Sequence, residues 1–146
     1  MSILADKGRN MTKKYLDDLT YKIIGCCISV HSELGPGLLE SVYHRCLEEE
    51  FRHQKVKFQS EVIVPVVYRN LELNTQLKAD FYIDNCLVLE LKAVEGIHPV
   101  HEAQLLTYLK LLEAPKGILV NFNCTNIFRE GQKTYITEKY RNLDDK

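Results

Sequence analysis

The stretch LKADFYIDNCLVLELKA, residues 77–93, alternates apolar and polar side chains and predicts two antiparallel strands joined by a turn. The apolar face of the first strand is Leu77, Ala79, Phe81 and Ile83, and that of the second strand is Leu87, Leu89 and Leu91. Matching these two faces requires Ile83 opposite Leu87 and a three-residue loop. In that register, Asp80 faces Glu90. Opposed side chains have Cβ atoms about 4.5–5.5 Å apart, so two like charges there destabilise the sheet unless a cation lies between them.

Two alternatives remain open at this point. A two-residue loop would place the two carboxylates on opposite faces of the sheet and remove the conflict. Alternatively, Lys78 and Lys92 pair the carboxylates across the strands, and all these charges form the solvated face of a two-sided sheet.

Composition limits the class of protein. With 146 residues, 45% of them hydrophobic, the chain is expected to form one domain over residues 16–138, between a flexible lead-in at 1–15 and a charged tail at 139–146. Its net charge of -1 excludes a global basic field, so any binding of nucleic acid must be local or assisted by a metal.

The five cysteines form no CxxC pair, which argues against a zinc site and favours reduced, buried thiols. No apolar stretch has the length of a membrane span. We therefore expect a cytoplasmic protein with no membrane partner.

Helical periodicity predicts one helix from about Leu16 to Leu34, ended by Gly35 and Pro36, and a second from about Leu38 to His53. The second helix is expected to bury Leu39, Val42, Cys46 or Leu47, and Phe51. Its polar face is interpreted as ordinary solvated surface and consists of Arg45, Glu48, Glu49 and Arg52.

The remaining elements complete a mixed α/β pattern. A valine-rich strand is predicted over 61–68, where Pro65 indicates an edge strand or a bulge, followed by a turn at Arg69 and Asn70. A helix is predicted from His98-Pro99 to about Leu112, then a buried strand, GILVNF, and a weak strand over 133–137. The predicted fold is a mostly antiparallel, mixed sheet flanked by helices.

Two helices add candidate site residues. Glu40 and Tyr43 share one face of the second helix, although a carboxylate in a first turn is also a common partner of the helix dipole. On the third helix, His101, Gln104 and Tyr108 form a polar stripe opposite an apolar one made of Ala103, Leu106 and Leu109. An amide and a phenol are unusual on a purely solvated stripe, where Lys and Glu are expected.

These elements together resemble the GxxExxY proteins, a branch of the PD-(D/E)xK nuclease-like superfamily. The resemblance runs from about Tyr21 to Phe122, and Ala79 stands where the superfamily usually has proline. The matching elements, in order, are GLLESVY at 37–43, Asp80, Glu90-Leu91-Lys92, and Gln104 to Tyr108.

The resemblance implies a restriction-endonuclease-like core and a nuclease that hydrolyses the phosphodiester bonds of DNA or RNA, with DNA the expected substrate. It implies that Mg²⁺ or Mn²⁺ is bound by Asp80, Glu90, the main-chain carbonyl of Leu91 and Glu40. The catalytic set would be Glu40, Asp80, Glu90 and Lys92, and the residues that position substrate or support the carboxylates would be Tyr43, Gln104 and Tyr108.

Two further hypotheses compete with this one. The first is a non-catalytic nucleic-acid-binding or protein-interaction module that keeps the nuclease fold, which the neutral charge balance favours. The second is a homodimer formed through an edge strand such as the one that carries Pro65.

Overall fold

The computed structural model describes residues 11–146, so most of the expected lead-in lies outside the described residues. The helices are α1 (Lys13–Leu34), α2 (Glu40–His53), α3 (Pro99–Leu111) and α4 (Glu138–Arg141), with a π-helical turn at Ile127–Gly131. The strands are β1 (Phe58–Ile63), β2 (Val66–Tyr68), β3 (Leu71–Leu73), β4 (Lys78–Ile83), β5 (Leu87–Lys92), β6 (Lys116–Asn121) and β7 (Gln132–Ile136).

A five-stranded sheet in the order β1-β4-β5-β6-β7 forms the centre of the fold. The pairing of β5 with β6 is parallel, because α3 crosses between them, and the other pairs are antiparallel. The mixed sheet flanked by helices confirms the predicted fold class. The strand expected over 61–68 is divided at Pro65 into β1, an edge strand, and β2, which pairs with β3 in a separate hairpin.

The register predicted for β4 and β5 is confirmed. Ile83 pairs with Leu87 and Phe81 with Leu89. Asp84 and Asn85 take the turn at φ 50° and 56°, left-handed conformations that Asp and Asn tolerate better than most residues.

Two apolar layers enclose the sheet. The layer beneath α1 and α2 includes Phe81 and Leu89, and the layer beneath α3 includes Tyr82 and Val88. Ala79 was expected to share the face of Phe81 but packs in the α3 layer. The alternation breaks between them, at Asp80, where the backbone pairing of β4 is interrupted on both sides.

The buried face of α2 differs from the predicted one. The helix begins at Glu40, so Leu39 precedes it and is 74% exposed, and Val42 is also exposed. Three fully buried side chains at four-residue spacing, Tyr43, Leu47 and Phe51, instead form the stripe that faces the sheet.

The buried face of α3 also differs from the predicted one, although Leu109 is buried as expected. Tyr108 is buried together with Leu105 and Leu109, whereas Ala103 and Leu106 are exposed. The two leucines pack closely over Gly117 of β6, which turns the stripe that carries Tyr108 toward the sheet.

The first and last described segments of the chain lie side by side. Residues 13–15 are already part of α1, whose N-terminus is capped by the side chain of Thr12. The backbone N–H groups of Lys13 and Lys14 donate to the carbonyls of Asp144 and Asp145, at 2.8 and 3.0 Å. Among the described helices, none combines the length and the apolar character that crossing a membrane requires.

Candidate active site

Asp80 and Glu90 meet where the backbone pairing of β4 and β5 stops. The N–H of Asp80 donates to Glu90 Oε1 at 2.7 Å, and the N–H of Leu91 donates to Asp80 Oδ2 at 2.8 Å. Each carboxylate therefore replaces a backbone acceptor on the neighbouring strand. The two acidic groups share one site, as the predicted register requires.

Burial makes this pair electrostatically costly. Glu90 is only 5% exposed. Burial, together with the charge of Asp80, raises the pKa of Glu90 to about 8, although the backbone hydrogen bond and the charge of Lys92 oppose the shift. Near neutral pH the site thus favours a proton or a cation next to these oxygens.

Glu40, the first residue of α2, belongs to the same electrostatic group. Burial raises the pKa of Glu40, and the charge of Asp80 adds to the effect, while Lys92 and His44 oppose it. A helix N-terminus stabilises a carboxylate, but here Glu40 is also coupled to the β4 carboxylate across the cleft.

Tyr43 supports the bend that precedes Glu40 and does not line the cleft. Its hydroxyl donates to the carbonyl of Gly35 at 2.6 Å and accepts from the N–H of Leu38 at 3.2 Å. Its ring is fully buried and stacks on Phe122 with the centroids 4.4 Å apart. The structure thus gives Tyr43 a supporting position behind the cleft.

Lys92 and Tyr108 approach the carboxylates from the end of β5 and from α3. The charge of Lys92 lowers the pKa values of both Glu40 and Glu90. Burial raises the pKa of Tyr108, and the charges of Glu90 and Asp80 raise it further. Gln104 lies one turn earlier on α3 and is half-buried, and within residues 11–146 no hydrogen bond joins it to the carboxylates.

Sequence reasoning missed a group on the other side of Asp80. His44 Nδ1 lies 3.5 Å from Asp80 Oδ1, and His44 Nε2 lies 2.7 Å from Ser60 Oγ. Ser60 in turn donates to Glu48 Oε2 at 2.6 Å. Burial lowers the pKa of His44. The contact with Asp80 and the charges of Glu48 and Glu61 outweigh this effect, so the pKa of His44 is raised.

A cleft of about 530 Å³ lies beside Asp80 and is lined by Glu40, Ser41, His44, Arg45, Glu48, Glu61 and Asp80. The interpretation of Glu48 as ordinary solvated surface is therefore wrong, because Glu48 borders the cleft and accepts from Ser60. Arg45 borders the cleft too, but it is exposed as expected. A signal was present in the sequence. Glu40, His44 and Glu48 follow one another at four-residue spacing, beside the buried stripe of the same helix.

The donor set suits a hard divalent cation with few protein ligands. No cluster of three or more acidic, histidine or cysteine side chains with metal-binding geometry occurs in the described part of the chain. Mg²⁺ commonly uses only one or two carboxylates and keeps several waters. The N–H of Leu91 faces β4, and the N–H and C=O of one strand residue point to the same edge, so the Leu91 carbonyl points toward β4 as well. Asp80, Glu90 and this carbonyl thus fit such an ion.

Comparison with known proteins identifies the family. A family model described as the PD-(D/E)XK nuclease superfamily matches residues 17–134, which is most of the chain. The chain belongs to the PD-(D/E)XK nuclease superfamily. No curated protein and no solved structure matches it. The mixed five-stranded sheet is consistent with the restriction-endonuclease-like architecture of this superfamily, whose nucleases generally use divalent metals.

Proposed function

We propose that this PD-(D/E)XK protein is a metal-dependent nuclease of the GxxExxY type that hydrolyses phosphodiester bonds, with DNA as the preferred substrate. The observation that carries the proposal is the carboxylate pair of Asp80 and Glu90, in which a buried acid with a raised pKa lies against a second acid in the opened end of a sheet. Such a pair has excess negative charge that a divalent cation would neutralise.

In this proposal Asp80, Glu90 and the Leu91 carbonyl hold Mg²⁺ or Mn²⁺, and Glu40 contributes a further carboxylate at the rim, directly or through water. When bound, the ion would act as a Lewis acid toward the scissile phosphate and lower the pKa of a coordinated water. The proposed metal ligands therefore come from two adjacent strands and from the start of α2.

Lys92 supplies the positive charge of the ExK element. Its charge lowers the pKa values of both neighbouring glutamates, so its ammonium lies within electrostatic reach of the carboxylates. There it would orient the attacking water or stabilise the negative charge that develops on the phosphate oxygens. Tyr108 and Gln104, on the sheet-facing side of α3, would position the nucleic-acid backbone, while Tyr43 supports Glu40 from behind.

A cleavage assay tests the proposal. Wild-type protein would be incubated with plasmid, linear duplex and single-stranded DNA, and with RNA, each with Mg²⁺, with Mn²⁺ and with chelator. We expect metal-dependent cleavage that Asp80→Ala abolishes. The matched control is Asp18→Ala, which removes an exposed carboxylate whose surface ion pair with Lys14 contributes little to stability. Activity that survives in Asp80→Ala would contradict the assignment.

One observation favours the second candidate, a non-catalytic module that keeps the fold. Four carboxylates and a single arginine line the cleft, so without a metal it repels phosphate. Isothermal titration with Mn²⁺ separates the two candidates. Heat of binding that disappears in Glu90→Gln supports the nuclease, and absence of binding by the wild type supports the non-catalytic module.

A further inference from the structure

A chain of four polar side chains reaches Asp80 from outside the carboxylate pair. Glu48 accepts from Ser60, Ser60 contacts His44 Nε2, and His44 Nδ1 faces Asp80 Oδ1. The four residues come from α2, β1 and β4. These contacts therefore link three separate elements of the fold, and they end at the carboxylate of Asp80.

The ring of His44 is held on its face as well as at its edges. It stacks on Phe81 with the centroids 4.3 Å apart and the planes 15° from parallel. The side chain is only 13% exposed. With both nitrogens engaged and one face covered, rotation of the ring would break two polar contacts and the stack.

The carboxylate of Asp80 is consequently contacted from two directions. Oδ2 accepts from the N–H of Leu91, and Oδ1 lies 3.5 Å from His44. A carboxylate that ligates a metal has its orientation set by such outer contacts, whose loss typically weakens metal binding by about 10–100-fold.

We propose that His44 is a positioning residue that fixes the orientation in which Asp80 presents its oxygens to a divalent cation, and that Ser60 and Glu48 in turn fix His44. This inference rests on the proposed function, since it concerns binding of the ion by Asp80. It assigns a role to His44, Ser60 and Glu48, none of which belongs to the family motif of Asp80, Glu90 and Lys92.

The alternative is that His44 only packs against Phe81. His44→Phe separates the two roles, because it keeps an aromatic ring for stacking and removes both nitrogens. His44→Asn does the reverse, since its amide places an N–H donor near the position of Nδ1 but loses the ring. Ser60→Ala removes the contact behind His44 and the hydrogen bond to Glu48, and it leaves the ring of His44 and its contact with Asp80 in place.

The experiment measures Mn²⁺ affinity by isothermal titration and by electron paramagnetic resonance, with the melting temperature of each metal-free variant recorded in parallel. His44→Phe is expected to bind Mn²⁺ about 10–100-fold more weakly than wild type while melting at a similar temperature. Ser60→Ala should show a smaller loss, and His44→Asn should recover part of the affinity lost in His44→Phe. His53→Phe, at the exposed end of α2, is the matched control and should bind as wild type does.

Wild-type affinity in a folded His44→Phe, or an affinity for His44→Asn no better than that of His44→Phe, would overturn this inference and leave the proposed function standing. Absence of Mn²⁺ binding by the wild type would overturn both. A crystal structure of metal-free His44→Phe gives a readout without the ion. A turned Asp80 side chain supports the positioning role, and an unchanged one contradicts it.

Discussion

Glu90 accepts a hydrogen bond from the backbone N–H of Asp80 at 2.7 Å, so the side chain of one acid is tied to the main chain of the other. The reciprocal bond, from the N–H of Leu91 to the Asp80 carboxylate, is 2.8 Å long. The two bonds close a small ring between β4 and β5 and hold both carboxylates in one place. The two carboxylates therefore repel each other in the folded state whenever both are ionised.

The first prediction concerns pH. The pKa of Glu90 in the folded protein is about 8, above its ordinary value of 4.5. Protonated Glu90 therefore contributes stability that is fully present below the ordinary pKa and is lost as the pH rises through the folded pKa. Metal-free wild type should lose stability over this interval, and Glu90→Gln should lose less.

Urea unfolding at about pH 5 and about pH 9 measures the difference, through the linkage between protonation and stability. Saturating Mn²⁺ should restore stability to the wild type at the higher pH and not to Glu90→Gln. If the free energy of unfolding of the two metal-free proteins depends equally on pH, the pKa of Glu90 is not raised.

The second prediction concerns Lys92. Replacing it with alanine should reduce the cleavage rate by about 10²–10³-fold, the usual cost of losing one group that stabilises developing charge. Mn²⁺ affinity should not fall, because the ammonium of Lys92 repels a bound cation and is not one of its ligands. Rates and titrations on the same preparation test this, and a weaker Mn²⁺ affinity in Lys92→Ala would contradict the assigned role.

The third prediction concerns Tyr43. Tyr43→Phe keeps the stack on Phe122 but removes the hydroxyl that contacts Gly35 and Leu38. We expect the free energy of unfolding to fall by about 1 kcal/mol, the typical net value of such hydrogen bonds. Activity should fall as well, because the bend that places Glu40 loosens. Full activity together with reduced stability would limit Tyr43 to a purely structural role.

The fourth prediction concerns Glu61, which lies opposite Asp80 between two regular pairs of β1 and β4 and has φ 52°. Left-handed backbone costs a non-glycine residue about 1–2 kcal/mol, and β-branched residues tolerate it worst. Glu61→Asn should leave stability nearly unchanged, and Glu61→Val should lower it by about 1 kcal/mol or more.

Gln59→Val, an exposed position with regular pairing on the same strand, is the control and should be neutral or mildly stabilising, since valine favours strands. Urea unfolding distinguishes these outcomes. An equal effect of valine at both positions would mean that Glu61 is not strained in solution.

Several features could be predicted from the sequence because they depend on local pattern. The alternation in 77–93 and the length of the turn fixed the pairing of Ile83 with Leu87, and that register brings Asp80 and Glu90 together. Helix boundaries at Leu34 and His98 followed from Gly35 and Pro99.

The errors arose where packing against a distant element decides the outcome. Periodicity gave two stripes on α3 without showing which one faces the sheet, and the small Gly117 on β6 decides it. On α2, sequence reasoning interprets Glu48 as surface and makes no prediction for His44, because their partner Ser60 lies on a strand that begins after the helix ends. Contacts of this kind depend on tertiary packing, which a single sequence does not display.

The central claim is that the Asp80 and Glu90 pair holds a divalent cation, and the most direct measurement is the anomalous diffraction of a crystal soaked in Mn²⁺. The claim predicts one strong anomalous peak between the two carboxylates, at about 2.0–2.3 Å from an oxygen of each, near the Leu91 carbonyl. A fully soaked crystal with no peak between these side chains, or with its only peak elsewhere on the protein, would contradict it.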